Sequence, residues 1–284
     1  MKKFTTKLFV GATKPFTIIH MSDTHITYAD ERDGERKVEL SKARTPIFPD
    51  AEQMLVESVK LAKEYQAPIM HTGDLMDFVS TANLERVARF MRDCDCFVSA
   101  GNHEFSQYVG EAWEDAAYRN QSLAKVQAAF LNDIRMSSRV INGVNFVAID
   151  DSYYLFEKQQ LAFLKEEVKK GLPIILMLHN PIYEKQLFDN LIYHREELGL
   201  EPRQVPCAYL TGTPDIYMKD YDEHRFRQQK ADEITKETVE YIKTQPLIKA
   251  ALVGHVHCSI EAELCQGVPQ IITGCTDLRV IQIF

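Results

Sequence analysis

The sequence predicts an α/β fold made of one domain with two β-sheets. Between residues 16 and 98, short apolar runs alternate with amphipathic segments of helical length. Because parallel strands are joined through helical crossovers, this alternation predicts a largely parallel sheet covered by helices. Further along, Asn142-Gly143 separates two apolar runs, which is a strong signal for an antiparallel hairpin. Short apolar runs after residue 258 predict more antiparallel strands, so we assign residues 1–284 to a single domain.

The first half of the chain predicts three strands and two helices. Apolar runs that stop at polar residues predict strands at residues 16–21, 68–72 and 96–98. Apolar residues recur at helical spacing over residues 51–65 and again over residues 84–91, which predicts two amphipathic helices. Residues 26–49 are polar and follow neither period. We therefore expect a long, irregular loop insertion there.

The second half predicts a hairpin, three helices and several short strands. The hairpin spans residues 139–149, and helices are expected at residues 112–134, 159–170 and 231–244. Residues 182–229 are rich in charge, tyrosine and proline, and we expect a second irregular insertion there. The remaining apolar runs predict strands at residues 173–178, 249–253, 259–264, 270–273 and 279–284.

Composition narrows the classes of function. A net charge of −8 and a pI near 5.6 argue against a protein that grips nucleic acid, although bound cations still allow a phosphate-containing substrate. The six cysteines lack the spacing of a disulfide scaffold and form no C-x-x-C pair, which is typical of reduced thiols. No segment has the length of a membrane span or the pattern of a signal peptide. We expect a cytoplasmic protein with no membrane partner.

Polar side chains that can bind a metal follow five of the predicted strands. They are Asp23 and His25, Asp74, Asn102 and His103, His179, and His255 and His257. In α/β sheets, ligands bind outside the carboxyl ends of the strands, so these side chains should meet. Each motif is weak alone, because Asp-x-His is common and Gly-Asp is usually a turn or a helix cap.

The donor set predicts the kind of metal site. Imidazole and carboxylate ligands suit Mn, Fe, Zn, Co or Ni better than Ca. The ligands are too many for one tetrahedral ion but suffice for two ions about 3.5–4 Å apart. Such a pair needs a bridging group, and Asp74 can provide it.

The joint pattern resembles that of the calcineurin-like metallophosphoesterases from about residue 16 to the C-terminus. The matching motifs are Asp23-x-His25, Gly73-Asp74-x-x-Asp77, Gly101-Asn102-His103-Glu104, His179 and Gly254-His255-x-His257. The resemblance implies a four-layer α-β-β-α sandwich, in which two mixed β-sheets pack face to face with helices outside. It also implies two divalent metal ions as cofactors.

The resemblance further implies a role for each side chain. The first metal would be held by Asp23, His25 and His257, and the second by Asn102, His179 and His255. Asp74 would bridge the two ions and is, with His103, the expected catalytic residue. His103 would face the phosphate, where it would stabilise the transition state or protonate the leaving oxygen. Asp77 and Glu104 would orient the ligands or His103.

The implied activity is a metal-dependent phosphohydrolase, either a phosphodiesterase or a phosphomonoesterase. We expect in-line attack of a metal-bridging hydroxide on the phosphorus of a small-molecule or nucleotide ester. The protein phosphatases of this family carry Asp-Arg-Gly where Asp77 is followed here by Phe78-Val79, which argues against that branch. Two alternatives remain: a nuclease, which should show a basic groove, and a non-catalytic metal-binding scaffold, which should lack ligands or His103. Substrate selection should lie in residues 26–49 and 182–229.

Overall fold

Strands and helices alternate through most of the chain. The computed structural model describes residues 1–110, 113–200, 210–218 and 223–284. The strands of these residues are β1 (Lys2–Leu8), β2 (Phe16–Met21), β3 (Ile69–His71), β4 (Cys96–Val98), β5 (Met136–Ile141), β6 (Val144–Ile149), β7 (Ile174–Met177), β8 (Ile248–Val253), β9 (Ile260–Cys265), β10 (Val268–Ile272) and β11 (Asp277–Ile283). The helices are α1 (Glu35–Arg44), α2 (Ala51–Tyr65), α3 (Thr81–Asp93), α4 (Ala116–Gln127), α5 (Lys158–Lys169), α6 (Lys185–Ile192), α7 (Asp215–Met218), α8 (Glu223–Gln229) and α9 (Glu233–Thr244).

Both sheets are mixed. The first has the strand order β1-β11-β2-β3-β4, and the second has the order β5-β6-β7-β8-β10-β9. Strands β2, β3 and β4 run parallel to one another, as do β6, β7, β8 and β10. The antiparallel pairs are β11 with β2, β5 with β6, and β9 with β10. The predicted parallel core and the predicted hairpin are therefore confirmed.

Three apolar clusters separate four layers. Met70 of β3 and Phe146 of β6 belong to one cluster, which lies between the two sheets. Their neighbours Ile69 and Val147 belong to two other clusters, each shared with the helices on the outer face of one sheet. Successive strand residues point to opposite faces, so strands that are apolar throughout bury both faces. The α-β-β-α sandwich with helices outside is confirmed.

The predicted loop over residues 26–49 is wrong. The segment contains a short 3-10 turn at Glu31–Asp33 and helix α1, none of whose residues is buried. Since α1 buries no apolar face, its sequence carries no hydrophobic period. Residues 182–229 likewise contain α6, α7 and α8, whereas residues 201–209 and 219–222 lie outside the described residues.

The sequence also gives no sign of β1. This strand pairs in parallel with β11 at the edge of the first sheet. Thr6 and Leu8 are its only buried residues, so its amino-acid pattern is mainly that of an exposed segment.

The helices were also compared with the length and hydropathy of a membrane span. Among the described residues, none of them meets both requirements.

Candidate metal centre

The loops that follow the parallel strands of the two sheets meet at one edge of the sandwich. In the first sheet, the loops after β2 and β3 are joined because Asp23 N donates to Gly73 O at 2.9 Å. The second sheet is tied to the first because His255 N donates to Asp23 Oδ2 at 2.8 Å. Within the second sheet, Gly254 N donates to His179 O at 2.9 Å. The predicted strand-end side chains therefore lie in one region.

The first group that could hold a metal ion consists of Asp23, His25 and His257. One ligand atom from each lies within 4.8 Å of the others. The Nε2 atoms of His25 and His257 are 3.1 Å apart, and His257 Nε2 lies 3.4 Å from Asp23 Oδ1. Ring nitrogens from two chain segments thus converge on a carboxylate, which suits a cation.

The second group consists of Asp74, His179 and His255. His179 Nε2 lies 3.2 Å from Asp74 Oδ2 and 3.2 Å from His255 Nδ1. The opposite ring nitrogen of His179, Nδ1, donates to Thr72 O at 2.7 Å, so a neutral His179 presents the lone pair of Nε2 to the group. Asp74 Oδ2 is also 3.6 Å from His25 Nε2 of the first group. One carboxylate oxygen therefore faces both groups.

Asn102 and His103 lie beside these groups. Asn102 Oδ1 is buried and has no hydrogen-bond partner within the described part of the chain. A buried acceptor without a partner costs about 1–3 kcal/mol, a cost that a bound cation would remove, so the residues fit a metal. His103 N donates to Asp74 Oδ1 at 2.8 Å. The imidazole of His103 also falls within 4.8 Å of ligand atoms of His25 and Asp74.

The centre opens to solvent on one side. The side chains of His103 and His257 are 15% and 12% exposed, whereas those of His25, Asp74 and His179 are at most 1% exposed. A small molecule would therefore reach the centre from the side of His103 and His257.

The backbone of the centre is strained. Five candidate ligands have positive φ angles between 51° and 69°: Asp23, His25, Asp74, His255 and His257. A non-glycine residue in this region costs about 1–3 kcal/mol, and such residues concentrate at functional sites. Because surrounding contacts must hold these angles, their concentration here indicates a site rather than a chance grouping of polar loops.

Burial and neighbouring charges shift the pKa values of the imidazoles in the centre. Burial lowers the pKa of His103 and of His179, but the nearby carboxylates outweigh this effect. Asp74 and Asp77 raise the pKa of His103 to about 10. Asp74 and Asp23 raise the pKa of His179 to about 10. Burial and the neighbouring imidazoles instead hold the pKa of His255 well below its usual value. Since a metal binds the neutral imidazole, metal binding at His179 would displace a proton.

Comparison with known proteins identifies the family. A family model for calcineurin-like phosphoesterases matches residues 16–259. The chain belongs to the calcineurin-like phosphoesterase family. This confirms the resemblance seen in the motifs. No curated protein sequence matches the chain.

Several solved structures are similar to this phosphoesterase. A dimetal phosphatase from Danio rerio is 14% identical, with coverage of 92% of this chain and 88% of that chain and a TM-score of 0.48. A phosphopantetheinyl hydrolase from Mycobacterium tuberculosis is 11% identical, with coverage of 95% and 90% and a TM-score of 0.43. An NAD nucleotidase from Haemophilus influenzae is 12% identical, with a TM-score of 0.40; 92% of this chain aligns with 45% of that one. At these identities the likeness is one of fold alone.

Glu104 holds the two loops that carry Asp74 and Asn102. Its carboxylate accepts hydrogen bonds from the backbone N–H groups of Asp74, Gly101 and Leu75, each at 2.7 Å. Burial and the nearby Asp74 carboxylate raise the pKa of Glu104 to about 7. The residue thus fixes the backbone next to two candidate ligands.

Asp77 holds two imidazoles of this phosphoesterase. Asp77 Oδ1 lies 3.0 Å from His25 Nδ1, which turns His25 Nε2 towards the first group. His103 Nδ1 lies 2.6 Å from the carbonyl oxygen of Asp77, so this ring nitrogen donates and Nε2 is on the opposite side of the ring. Arg44 forms a two-point contact with the carboxylate, from Nε to Oδ2 at 2.7 Å and from Nη2 to Oδ1 at 2.9 Å.

Three neighbours of the ligands were not predicted as site residues. Besides Arg44, the ring of Phe48 stacks on His25 with 4.1 Å between ring centroids and 12° between ring planes. Tyr154 has a φ of 65°, and its hydroxyl lies 2.6 Å from His255 Nε2, which leaves His255 Nδ1 facing the second group. The rule that ligands follow strands could have found Tyr154, because it comes soon after β6. Arg44 and Phe48 had no such signal.

Gly101→Ala is expected to weaken metal binding about tenfold or more. Its φ of −104° is ordinary for alanine, so backbone strain is not the cause. An added Cβ would lie 2.5 Å from Asp74 N and would overlap the Asp74 carboxylate. The measurement is Mn²⁺ bound per chain across a titration, read by elemental analysis after dialysis.

Gly267→Ala is the control for this substitution. Gly267 has a φ of 78° and no atom within 4 Å of an added Cβ. We expect it to cost about 1–2 kcal/mol of folding stability through backbone strain while Mn²⁺ binding is retained. Wild-type Mn²⁺ affinity in Gly101→Ala would contradict the expected displacement of Asp74.

Proposed function

We propose that this calcineurin-like phosphoesterase uses two divalent metal ions to hydrolyse a phosphate mono- or diester of a small molecule or nucleotide. One observation carries the proposal: Asp74 Oδ2 lies 3.2 Å from His179 Nε2 and 3.6 Å from His25 Nε2. These imidazoles belong to different ligand groups, which supports a bridging role for the Asp74 carboxylate between two ions. A bridged pair of metals is the arrangement used by many phosphatases.

The proposed ligands follow from these groups. The first ion would be held by Asp23, His25 and His257, and the second by Asn102, His179 and His255. Asp74 would bridge them. The unpartnered Asn102 Oδ1 supports its place among the ligands. The nitrogen and oxygen donors favour Mn, Fe, Zn, Co or Ni.

When bound, two such ions lower the pKa of a water molecule and neutralise charge on the phosphate oxygens. The chain itself holds and aims the groups around the phosphate. His103 is fixed through Nδ1 by the carbonyl of Asp77, which leaves Nε2 for the substrate on the open side of the centre. From there, His103 Nε2–H can donate a proton to the leaving oxygen.

The two alternatives predict different features. A nuclease would need a basic groove, whereas the chain has a net charge of −8. A non-catalytic scaffold would not need His103, yet this residue is held by contacts with both Asp74 and Asp77. The contacts of His103 favour an enzyme over a scaffold, and the net negative charge favours a small phosphoester over a nucleic acid as its substrate.

Hydrolysis of p-nitrophenyl phosphate and of bis(p-nitrophenyl) phosphate tests the proposal. We expect turnover of at least one ester with Mn²⁺, loss of turnover with EDTA, and recovery when Mn²⁺ is added back. The ratio of the two rates assigns the monoester or diester preference. A protein that binds Mn²⁺ but turns over neither ester would instead be a metal-binding scaffold.

Arg44→Lys is expected to lower kcat/KM about 10–100-fold in the same assay. Lysine keeps the charge but cannot form the two-point contact by which Arg44 holds Asp77, and through it His25 and His103. Arg32→Lys is the matched control, because Arg32 also makes a two-point contact, with Glu85, and both of these side chains are exposed. Equal losses in both variants would show that Arg44 has no special role.

The cytoplasmic location stays a prediction. Four cysteines within the described ranges, Cys94, Cys96, Cys258 and Cys265, are free. Free thiols are what the reducing cytoplasm maintains. Cys207 lies outside the described residues.

A further inference from the structure

A cavity of about 280 Å³ adjoins the proposed metal centre. We call it the Phe48 cavity and define it by Arg44, Ile47, Phe48, Pro49, His257 and Cys275, which line it. We propose that the Phe48 cavity binds an uncharged, planar aromatic group of the phosphoester substrate. This inference rests on the proposed function, since it concerns the organic part of the molecule whose phosphate the metal centre would bind.

The position of the cavity supports this role. His257 belongs to the first ligand group and also lines the cavity. Its side chain is 12% exposed where the centre opens to solvent. A substrate that enters from this side and places its phosphate at the centre therefore has its organic group beside His257.

The size of the cavity fits a ring system. A cavity of about 150 Å³ is large enough to hold benzene. The Phe48 cavity has nearly twice that volume, about 280 Å³, and thus has room for two fused rings. A methyl or other small alkyl ester would leave most of it unfilled.

The walls favour an aromatic group over a charged one. Ile47 is 43% exposed, and Phe48 is only half-buried, so apolar surface is available next to a polar centre. The guanidinium carbon of Arg44 lies 5.3 Å from the centroid of the Phe48 ring, and Asp77 holds it in place. A planar ring packs well against such apolar and guanidinium surfaces.

The charges at the cavity disfavour a second anionic group. The charge of Arg44 is already paired with Asp77. Asp50, which also lines the cavity, is exposed, and its side chain makes no capping hydrogen bond to α2. A carboxylate there would repel an organic group that carries further negative charge.

The test measures binding of 1-naphthylphosphonate and methylphosphonate to the Mn²⁺-loaded protein by calorimetry. These probes share the phosphoryl group and differ in the ring. We expect wild type to bind the naphthyl compound about tenfold or more tightly than the methyl compound, since ring burial supplies the difference. Because phosphonates resist hydrolysis, both ligands remain intact during the measurement.

Thr276→Trp tests whether the ring lies in the Phe48 cavity. Thr276 is an exposed residue that lines the cavity and is not a proposed metal ligand. A tryptophan there would fill the cavity and leave the sequence of the proposed ligands unchanged. We expect the preference for naphthylphosphonate to disappear while methylphosphonate affinity is retained. Thr276→Ala is the matched control and should keep the preference. Ile47→Asp is a second variant, which should lower naphthylphosphonate affinity by adding charge to the wall.

The outcomes separate this inference from the proposed function. If metal-loaded wild type binds neither phosphonate and hydrolyses neither p-nitrophenyl ester, the proposed function fails. If it binds both phosphonates equally, or if Thr276→Trp and Ile47→Asp keep the naphthyl preference, the aromatic subsite is wrong and the phosphoesterase proposal stands. Retained methylphosphonate binding shows in each variant that the metal centre is intact.

Discussion

Asp74→Asn is expected to remove bound metal and phosphoesterase activity together, with a loss of kcat/KM greater than about 100-fold. The side chain is isosteric, so its Oδ1 can still accept the hydrogen bond from His103 N. The negative charge that faces His25 and His179 is lost, however, and a neutral amide cannot bridge two cations as a carboxylate does. The measurements are metal content by elemental analysis and turnover of the better p-nitrophenyl ester.

The control for this substitution is Asp93→Asn, which makes the same chemical change on the exposed end of α3. Asp93 is 56% exposed and pairs only loosely with Arg89, at 3.8 Å. We expect wild-type metal content and activity in this variant. An Asp74→Asn protein that keeps two ions per chain and wild-type turnover would rule out a bridging role for Asp74.

His103→Ala should give the opposite combination: metal retained and turnover lowered by about 10²–10⁴-fold. His103 is not among the proposed ligands, and its ring is held through Nδ1 by Asp77, with Nε2 on the other side. Removal of the imidazole therefore removes a proton donor without opening either ligand group. His194→Ala, on an exposed segment where His194 lies 3.4 Å from Glu197, is the control and should behave as wild type.

The leaving group distinguishes the two roles open to His103. If His103 protonates the leaving oxygen, its loss should slow an alkyl ester far more than a p-nitrophenyl ester, because p-nitrophenolate leaves without a proton. If His103 only stabilises charge on the phosphate, both esters should slow by similar factors. Loss of metal from His103→Ala would make it a ligand, in line with its closeness to His25 and Asp74.

The parts of the fold that bury apolar surface were predictable from sequence. Strand β6 is buried at every position and apolar at all but Asn145, because both of its faces are covered, and α2 shows a helical period because one face lies on the first sheet. Helix α1 could not be found in this way, since it buries no residue and is attached by polar contacts such as that of Arg44 with Asp77. Strand β1 could not be predicted from the sequence either, because its stability comes from pairing with β11.

The candidate site was predictable where one rule applied: polar residues that directly follow parallel strands meet at one sheet edge. That rule brings Asp23 and His255 together, although they are 232 positions apart in the chain. The rule does not apply to Arg44 or Phe48, because neither follows a strand. Their segment lies beside the sheet, and they contact Asp77 and His25 through the tertiary fold. Their contacts depend on how α1 and the start of α2 are placed, which local sequence does not specify.

Anomalous X-ray diffraction from crystals of the Mn²⁺-loaded protein tests the central claim most directly. The account predicts two anomalous peaks about 3.5–4 Å apart, with the Asp74 carboxylate between them. One peak should lie against Asp23, His25 and His257, and the other against Asn102, His179 and His255. A single peak, or two peaks without Asp74 between them, would contradict the dinuclear centre on which the proposed phosphoesterase activity depends.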